Sequence, residues 1–210
     1  LKDMQIELFD DFGMEIDSLN EIRGWIEKLA SSQKRLYYRD QSPESLSALV
    51  NLVCRHKPSK IVELGTLSGL SLRAWLLAKK NAQIDAEIIA IDRSFKSLLG
   101  SCAVVPIELS KVRFLEQDIL KTDFGRLWSQ EDRVILYVDA HDTPNAPIMA
   151  HVLNNAVPAL PRSHVIAVDD LWYCSEHVSE RSVSEFFNRV VAKEIDYLGC
   201  FEGNYAPYWK

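Results

Sequence analysis

The chain has 210 residues and a mass of 24.0 kDa, which fits one large domain or one domain with a small appendage. Hydrophobic residues make up 47% and charged residues 26% of the chain, an ordinary globular balance that excludes wholesale disorder. Its 24 basic and 30 acidic side chains give a net charge of −6, which argues against nucleic acid as a partner.

Two further features bear on the cellular setting. No apolar run approaches the roughly 20 residues needed to cross a bilayer, and the acidic N-terminus lacks the layout of a secretory signal. The four cysteines are scattered, without the paired spacing of a zinc site. We therefore expect a soluble cytoplasmic protein with reduced thiols and no membrane partner.

The N-terminal part of the chain, to about residue 56, has a helical pattern. Apolar residues recur at threes and fours through residues 16–29 and 46–53. Ser42 precedes Pro43, as a capping residue precedes a proline at the first helical position. Because the chain contains no linker, residues 1–57 are predicted to form a helical cap on the same domain as residues 58–210.

Beyond Pro58 the sequence alternates between short apolar runs and helix-length stretches. Continuous apolar runs are typical of strands covered on both faces, and they lie at residues 60–64, 87–91, 112–116, 133–138 and 164–168. Helices are predicted at residues 70–80, 118–129, 147–160 and 182–192. Since parallel strands need crossover connections, the pattern predicts an α/β fold with a doubly wound, mostly parallel sheet.

The last stretch of the chain has a different texture. Residues 197–202 and 205–209 flank Gly203-Asn204, a dipeptide suited to a tight hairpin turn. A terminal antiparallel hairpin at the sheet edge would bring the sheet to seven strands.

Acidic side chains lie at or just beyond the end of every predicted strand. Ligands of open α/β sheets bind at the carboxyl ends of the strands, so these acids should rim one cleft. Such a cleft favours cations and hydroxyl or amine donors. The acids are Glu63, Asp92, Asp118, Asp139, Asp169 and Asp170.

The turn after the first strand distinguishes two cofactor classes. Dinucleotide folds use three glycines, in the pattern GxGxxG, to bring backbone N–H groups against a pyrophosphate. Here only Gly65 and Gly69 are present, and the charge of Glu63 would repel a phosphate. S-adenosylmethionine fits better, because it carries a sulfonium, an ammonium, a ribose diol and an adenine amine but no phosphate.

Residues 63–71, which read ELGTLSGLS, resemble the first motif of the class I S-adenosylmethionine-dependent methyltransferases. The middle glycine of the commoner pattern is absent, as in catechol O-methyltransferase. Asp139-Ala140-His141 and residues 168–172 are similar to the cephalosporin-hydroxylase and rhamnosyl O-methyltransferase group. The resemblance runs from about residue 42 to the end and implies a Rossmann-like, seven-stranded methyltransferase fold.

The resemblance also implies roles for individual residues. The two glycines would let the backbone approach the methionine part of the cofactor, with Glu63 near its ammonium and Ser71 near its carboxylate. Asp92 would hold the ribose hydroxyls, unless it only caps the following segment. Asp118, or Asp123 nearby, would receive the adenine amine. The predicted cofactor-binding residues are Glu63, Gly65, Thr66, Gly69, Ser71, Asp92, Asp118 and Asp139.

A second predicted site concerns a metal ion. Asp139, Asp169 and Asp170 offer hard oxygen ligands that suit Mg²⁺ or Ca²⁺. Catechol O-methyltransferase-like enzymes usually have Asn at the third of these positions, so the match is imperfect. The alternative is that Asp139 and Asp169 only line the pocket and Asp170 begins a loop.

Methyl transfer is an in-line displacement, in which the protein aligns the reactants and deprotonates the acceptor. The lysine that follows the fourth-strand acid in catechol methyltransferases is missing here. His141 is therefore the candidate base, assisted by Asp139, although a loop histidine can equally be solvated.

The sequence thus predicts a methyltransferase that acts on oxygen in a small molecule, such as a sugar, a phenol or another secondary metabolite. Two other classes stay open: a non-catalytic, cofactor-binding interaction subunit, and an NAD-dependent oxidoreductase. A homodimer is compatible with the sequence.

Overall fold

Five parallel strands form the centre of the part of the chain that the computed structural model describes, residues 20–25, 43–96, 98, 106–140 and 146–169. Their order across the sheet is β3-β2-β1-β4-β5, and every neighbouring pair is parallel. The mostly parallel α/β sheet is therefore confirmed. The strands are β1 (Lys60–Leu64), β2 (Glu87–Asp92), β3 (Val112–Glu116), β4 (Arg133–Val138) and β5 (Ser163–Val168).

The strand positions agree with the sequence pattern to within one residue. β1, β3 and β4 have the predicted bounds, β2 extends one residue further and β5 begins one residue earlier. Burial on both faces holds for β1 and β4 but not for β3, an edge strand of the described sheet whose Arg113 is exposed.

Two hydrophobic cores lie on opposite faces of the sheet, because successive side chains of a strand point to opposite sides. Ile61 and Ile135 lie in the first core, on the face of the sheet that the helices at residues 43–56 and 70–82 cover. Val62 and Leu136 enter the core on the other face.

The helices α1 (Pro43–His56) and α2 (Leu70–Ala82) pack against each other over the first face. Leu46 and Val50 of α1 share a fully buried cluster with Leu72 and Trp75 of α2. The helix α1 begins at Pro43, as predicted, while Ser42 lies outside the described residues. Residues 20–25 are also helical and contribute Trp25 to this core.

The prediction of a helix at residues 118–129 is wrong. Two 3₁₀ turns stand there, Ile119–Lys121 and Phe124–Arg126. The Asp118 carboxylate accepts the N–H of Leu120, and the hydroxyl of Thr122 donates to the Asp118 carbonyl. Short polar side chains of this kind compete with the backbone hydrogen bonds of a helix. The segment still packs against the sheet, since Ile119, Phe124, Leu127 and Trp128 all lie in the second core.

The helical stretch predicted at residues 147–160 is present but irregular. The helix α4 (Ile148–His151) continues as a π-helical turn (Val152–Ala156) and a 3₁₀ turn (Val157–Ala159). Pro158 has no N–H to donate to the carbonyl four residues earlier, and the Val157 N–H donates to Val152 across five residues. One further short helix, α3 (Pro106–Leu109), precedes β3 and was not predicted.

Several predicted elements fall outside the described residues. These are the helix at residues 182–192 and the terminal hairpin, and with them the sixth and seventh strands. Within the described ranges, none of the helices has both the length and the apolar character that crossing a membrane requires.

Candidate functional site

The predicted site lies where the direction of strand order changes, between β1 and β4. The sheet continues from β1 to β2 on one side and from β4 to β5 on the other, and ligands of such sheets bind at this point. Ladder hydrogen bonds extend beyond the strands, since Asp139 donates its N–H to Leu64 and Asp169 donates its N–H to Val138, both at 2.9 Å. The residues that follow β1, β4 and β5 therefore form one row.

The loop between β1 and α2 is built on two glycines in the left-handed region, Gly65 at φ 88° and Gly69 at φ 84°. A Cβ on Gly65 would lie 2.2 Å from the carbonyl oxygen of Asp139, so only glycine fits between the two strand ends. Gly69 donates its N–H to the Thr66 carbonyl at 2.8 Å and is the N-cap residue of α2, the helix Leu70–Ala82.

Leu67, in the middle of this loop, has an unusual backbone conformation and an exposed apolar side chain. Its φ of 43° lies in the left-handed region, which a leucine rarely occupies. Half of the residue is exposed, which makes it the only exposed large hydrophobic among the described residues. Leu67 was not among the predicted site residues, because nothing in the local sequence pattern indicates its backbone angle.

Asp92, at the end of β2, is directed at this loop. Its Oδ2 accepts the N–H of Thr66 at 2.9 Å and the N–H of Leu67 at 3.3 Å. Its Oδ1 accepts the N–H of Ser94 at 3.2 Å. The loop and the end of β2 are thereby joined through one carboxylate, and the capping alternative is also present.

Glu63 is completely buried beneath the loop and does not face solvent. The indole N–H of Trp75 donates to its Oε2 at 2.6 Å. Burial raises the pKa of Glu63 to about 7, while the hydrogen bond from Trp75 and the proximity of the Ser71 and Thr66 hydroxyls oppose the rise. Glu63 Oε1 and Thr66 Oγ1 have no hydrogen-bond partner of good geometry among the described residues.

Asp118, at the end of β3, caps the following 3₁₀ turn. A guanidinium nitrogen of Arg93 lies 3.5 Å from its Oδ1. The alternative adenine ligand, Asp123, is exposed and pairs with Arg126 at 2.9 Å.

Asp169 is joined to β4 by a tyrosine that the sequence analysis missed. The buried hydroxyl of Tyr137 donates to Asp169 Oδ2. Burial, followed by the negative charges of Asp139 and Asp169, raises the pKa of Tyr137 well above its usual range. The Tyr137 ring also packs edge-on against Trp75, with 5.4 Å between ring centroids. Its position two residues before Asp139 on a strand, hence on the same face, was the available signal.

Two predicted residues, His141 and Asp170, lie outside the described residues. Where the structure does describe the chain, no group of three or more metal-ligating side chains comes together. The base and the complete three-aspartate site therefore stay predictions.

The described five-stranded α/β sheet shares its fold with solved methyltransferase structures. Similar solved structures include a putative O-methyltransferase from Klebsiella pneumoniae, with 16% identity over 83% of this chain and 78% of that one and a TM-score of 0.58.

Two further similar structures carry cofactor names in their descriptions. The SAH-bound methyltransferase PaMTH1 of Podospora anserina is 19% identical over 84% of this chain and 79% of its own, with a TM-score of 0.56. A Mg-SAM structure of CmcI is 22% identical over 71% of this chain, with a TM-score of 0.53, and this chain spans only 62% of it. No family model and no curated protein matches the chain.

Proposed function

We propose that this chain is an S-adenosylmethionine-dependent methyltransferase that methylates an oxygen of a small molecule, such as a sugar, a phenol or another secondary metabolite. The observation that carries the proposal is the Gly65 crossing, where the loop after β1 lies against the end of β4 with no room for a side chain. The row of acids around this crossing gives the cleft the charge that a sulfonium cofactor needs.

The residues present fit this cofactor. Glycine at position 65 lets the loop after β1 pack directly against the Asp139 backbone, and Oε1 of Glu63, without a hydrogen-bond partner among the described residues, lies buried behind the same loop. We assign the methionine part to the loop from Gly65 to Gly69, the ribose to Asp92 and the adenine amine to Asp118. A cation bound in the cleft would favour the ionised form of Glu63.

When bound, the cofactor supplies a methyl group on positively charged sulfur. The chain's own residues would orient the acceptor and remove its proton, and we assign these roles to Asp139 and His141. A divalent cation at Asp139, Asp169 and Asp170 would require three oxygen ligands, of which the described structure contains two.

The organisation that accompanies this function is a helical cap, residues 1–57, on a domain formed by residues 58–210. Support comes from the core that α1 shares with α2. We further propose a seven-stranded sheet closed by the terminal hairpin, and a homodimer as a candidate assembly.

Calorimetric titration with S-adenosylhomocysteine tests the cofactor assignment. We expect micromolar binding, about −8 kcal/mol, and a loss of roughly 1.5 to 3 kcal/mol in Asp92→Ala, because charge-assisted hydrogen bonds disappear. The matched control is Asp132→Ala, since this carboxylate lies at the opposite end of the sheet against Ser59. We expect the control to bind like the wild type and NAD to give no binding heat.

Either of two results would contradict the proposal: a folded wild-type protein that does not bind S-adenosylhomocysteine, or one that binds NAD in its place. Unchanged affinity in a folded Asp92→Ala variant would remove only Asp92 from the binding site.

A further inference from the structure

The carboxylate of Asp92 accepts hydrogen bonds from three backbone N–H groups of the protein itself. A carboxylate has about four acceptor positions, and three N–H groups point at this one, from Thr66, Leu67 and Ser94. A residue whose sole task was to hold two ribose hydroxyls would be expected to keep more of its oxygen surface free. The geometry indicates a second task within the protein.

Two of the three donors belong to the most strained part of the loop. Leu67 has a φ of 43° without glycine's freedom, and its side chain is half exposed, so burial does not compensate for the strain. The hydrogen bonds from the Thr66 and Leu67 N–H groups to Asp92 therefore help the turn bond from Gly69 to Thr66 to keep this backbone in place.

We propose that Asp92 is a loop-positioning residue, which holds the Thr66 and Leu67 N–H groups and so keeps the Gly65–Gly69 loop preformed before any ligand binds. The cleft between β1 and β2 then needs no rearrangement when it is filled, and less of the binding free energy is lost in ordering the loop. Only the consequence for cofactor affinity rests on the proposed function; the loop itself can be tested without ligand.

The Gly69 amide is a suitable reporter. Its N–H donates to the Thr66 carbonyl and not to Asp92, so its hydrogen exchange reports the shape of the loop and not merely the loss of an acceptor. In Asp92→Asn one acceptor oxygen becomes an N–H₂ donor, which must face either the loop amides or the Ser94 N–H, and the charge that strengthens the remaining hydrogen bonds is lost. We expect NMR-detected exchange at Gly69 to accelerate about tenfold in the ligand-free variant.

A double variant tests whether strain at Leu67 is what Asp92 opposes. Glycine enters the left-handed region without strain, so in a Leu67→Gly background the same Asp92→Asn change should accelerate Gly69 exchange by less than about threefold. The matched control is Gln83→Gly, since Gln83 has a φ of 52° at the far end of α2. In that background the tenfold effect should persist.

Two results would overturn the proposal. One is that Asp92→Asn exposes the Thr66 and Leu67 amides to exchange but leaves the exchange rate of the Gly69 amide unchanged. The other is that Asp92→Asn accelerates Gly69 exchange by the same factor with and without Leu67→Gly. If Asp92→Asn alone does not fold, recovery of a cooperative unfolding transition by Leu67→Gly, but not by Gln83→Gly, supports the proposal, and no recovery refutes it.

The affinity arm uses S-adenosylhomocysteine as the probe. Loss of affinity in Asp92→Asn should be partly restored by Leu67→Gly, whereas a residue that acted only by touching the ligand would show no restoration. Failure of the wild type to bind the probe would count against the proposed function and would leave the ligand-free exchange result standing.

Discussion

At Gly65 the loop after β1 passes so close to the end of β4 that a side chain would not fit. A Cβ there would meet the Asp139 carbonyl oxygen at 2.2 Å and its carbon at 2.9 Å, and the φ of 88° adds strain for any L-residue. Both contacts are backbone, which cannot rotate away.

Gly65→Ala is therefore expected to lower the free energy of unfolding by about 2 to 4 kcal/mol, measured by urea denaturation. Gly24→Ala is the control, because an added Cβ meets nothing within 4 Å and alanine favours a helix by up to about 1 kcal/mol. Equal stability of the two variants would contradict the close approach.

Glu63 makes stability depend on pH, and the sign follows from its raised pKa of about 7. Below the ordinary value of 4.5 both states hold the proton and burial of the carboxyl costs nothing extra. Between 4.5 and about 7 the unfolded chain loses this proton while the folded chain keeps it, so stability falls as pH rises. Above about 7 the full cost, about 3 kcal/mol, is present.

Glu63→Gln removes this titration and can still accept the Trp75 N–H. We expect the unfolding free energy of the variant, relative to that of the wild type, to be about 2 to 3 kcal/mol higher at pH 8 than at pH 5. Urea denaturation across that range measures the difference. Parallel curves for the two proteins would show that Glu63 has an ordinary pKa.

At the scale of elements, α1 is the longer of the two described parts of the predicted cap. Leu46 is fully buried in the core that α1 shares with α2 and the sheet. If α1 unfolds together with the sheet, Leu46→Ala should lower the unfolding free energy by about 2 to 4 kcal/mol.

The control for this prediction is Leu52→Ala, because Leu52 lies on the same helix but is only partly buried. We expect the control to cost less than half as much. A separate early transition for α1, seen by far-UV circular dichroism at low urea, would contradict the single-domain proposal.

The segment between β3 and β4 was predicted to be a helix and instead forms 3₁₀ turns. Its apolar side chains are nevertheless buried in the second core. The preference of Asp118 and Thr122 for local hydrogen bonds decided between a helix and 3₁₀ turns. Such a competition involves small energy differences that periodicity does not report.

For the whole molecule, a divalent cation at the ends of β4 and β5 would stabilise the folded state by linkage, because the unfolded chain has no preformed site. We expect millimolar Mg²⁺ or Ca²⁺ to raise the melting temperature, a chelator to reverse the rise, and Asp169→Asn to abolish it. Asp132→Asn, at the opposite end of the sheet, is the control and should keep the full rise. Identical melting with and without the ions would refute the three-aspartate proposal.

Much of the architecture could be predicted from the amino-acid sequence. The five strands lie within one residue of their predicted positions, since continuous apolar runs between helical stretches have few other solutions in a buried parallel sheet. The placement of acids after the strands was equally readable, because parallel strands bring their carboxyl ends to one edge.

The hydrogen-bond partners of those acids could not be predicted from the sequence. Asp92 meets Thr66 and Leu67, which are 26 and 25 residues away, and Tyr137 meets Asp169 across 32 residues. Burial of Glu63 against Trp75, and with it a pKa near 7, depends on how α2 lies over the sheet. A one-dimensional pattern specifies which residues face a core or an edge, whereas hydrogen bonding and desolvation depend on atoms that folding alone brings within 3 Å of each other.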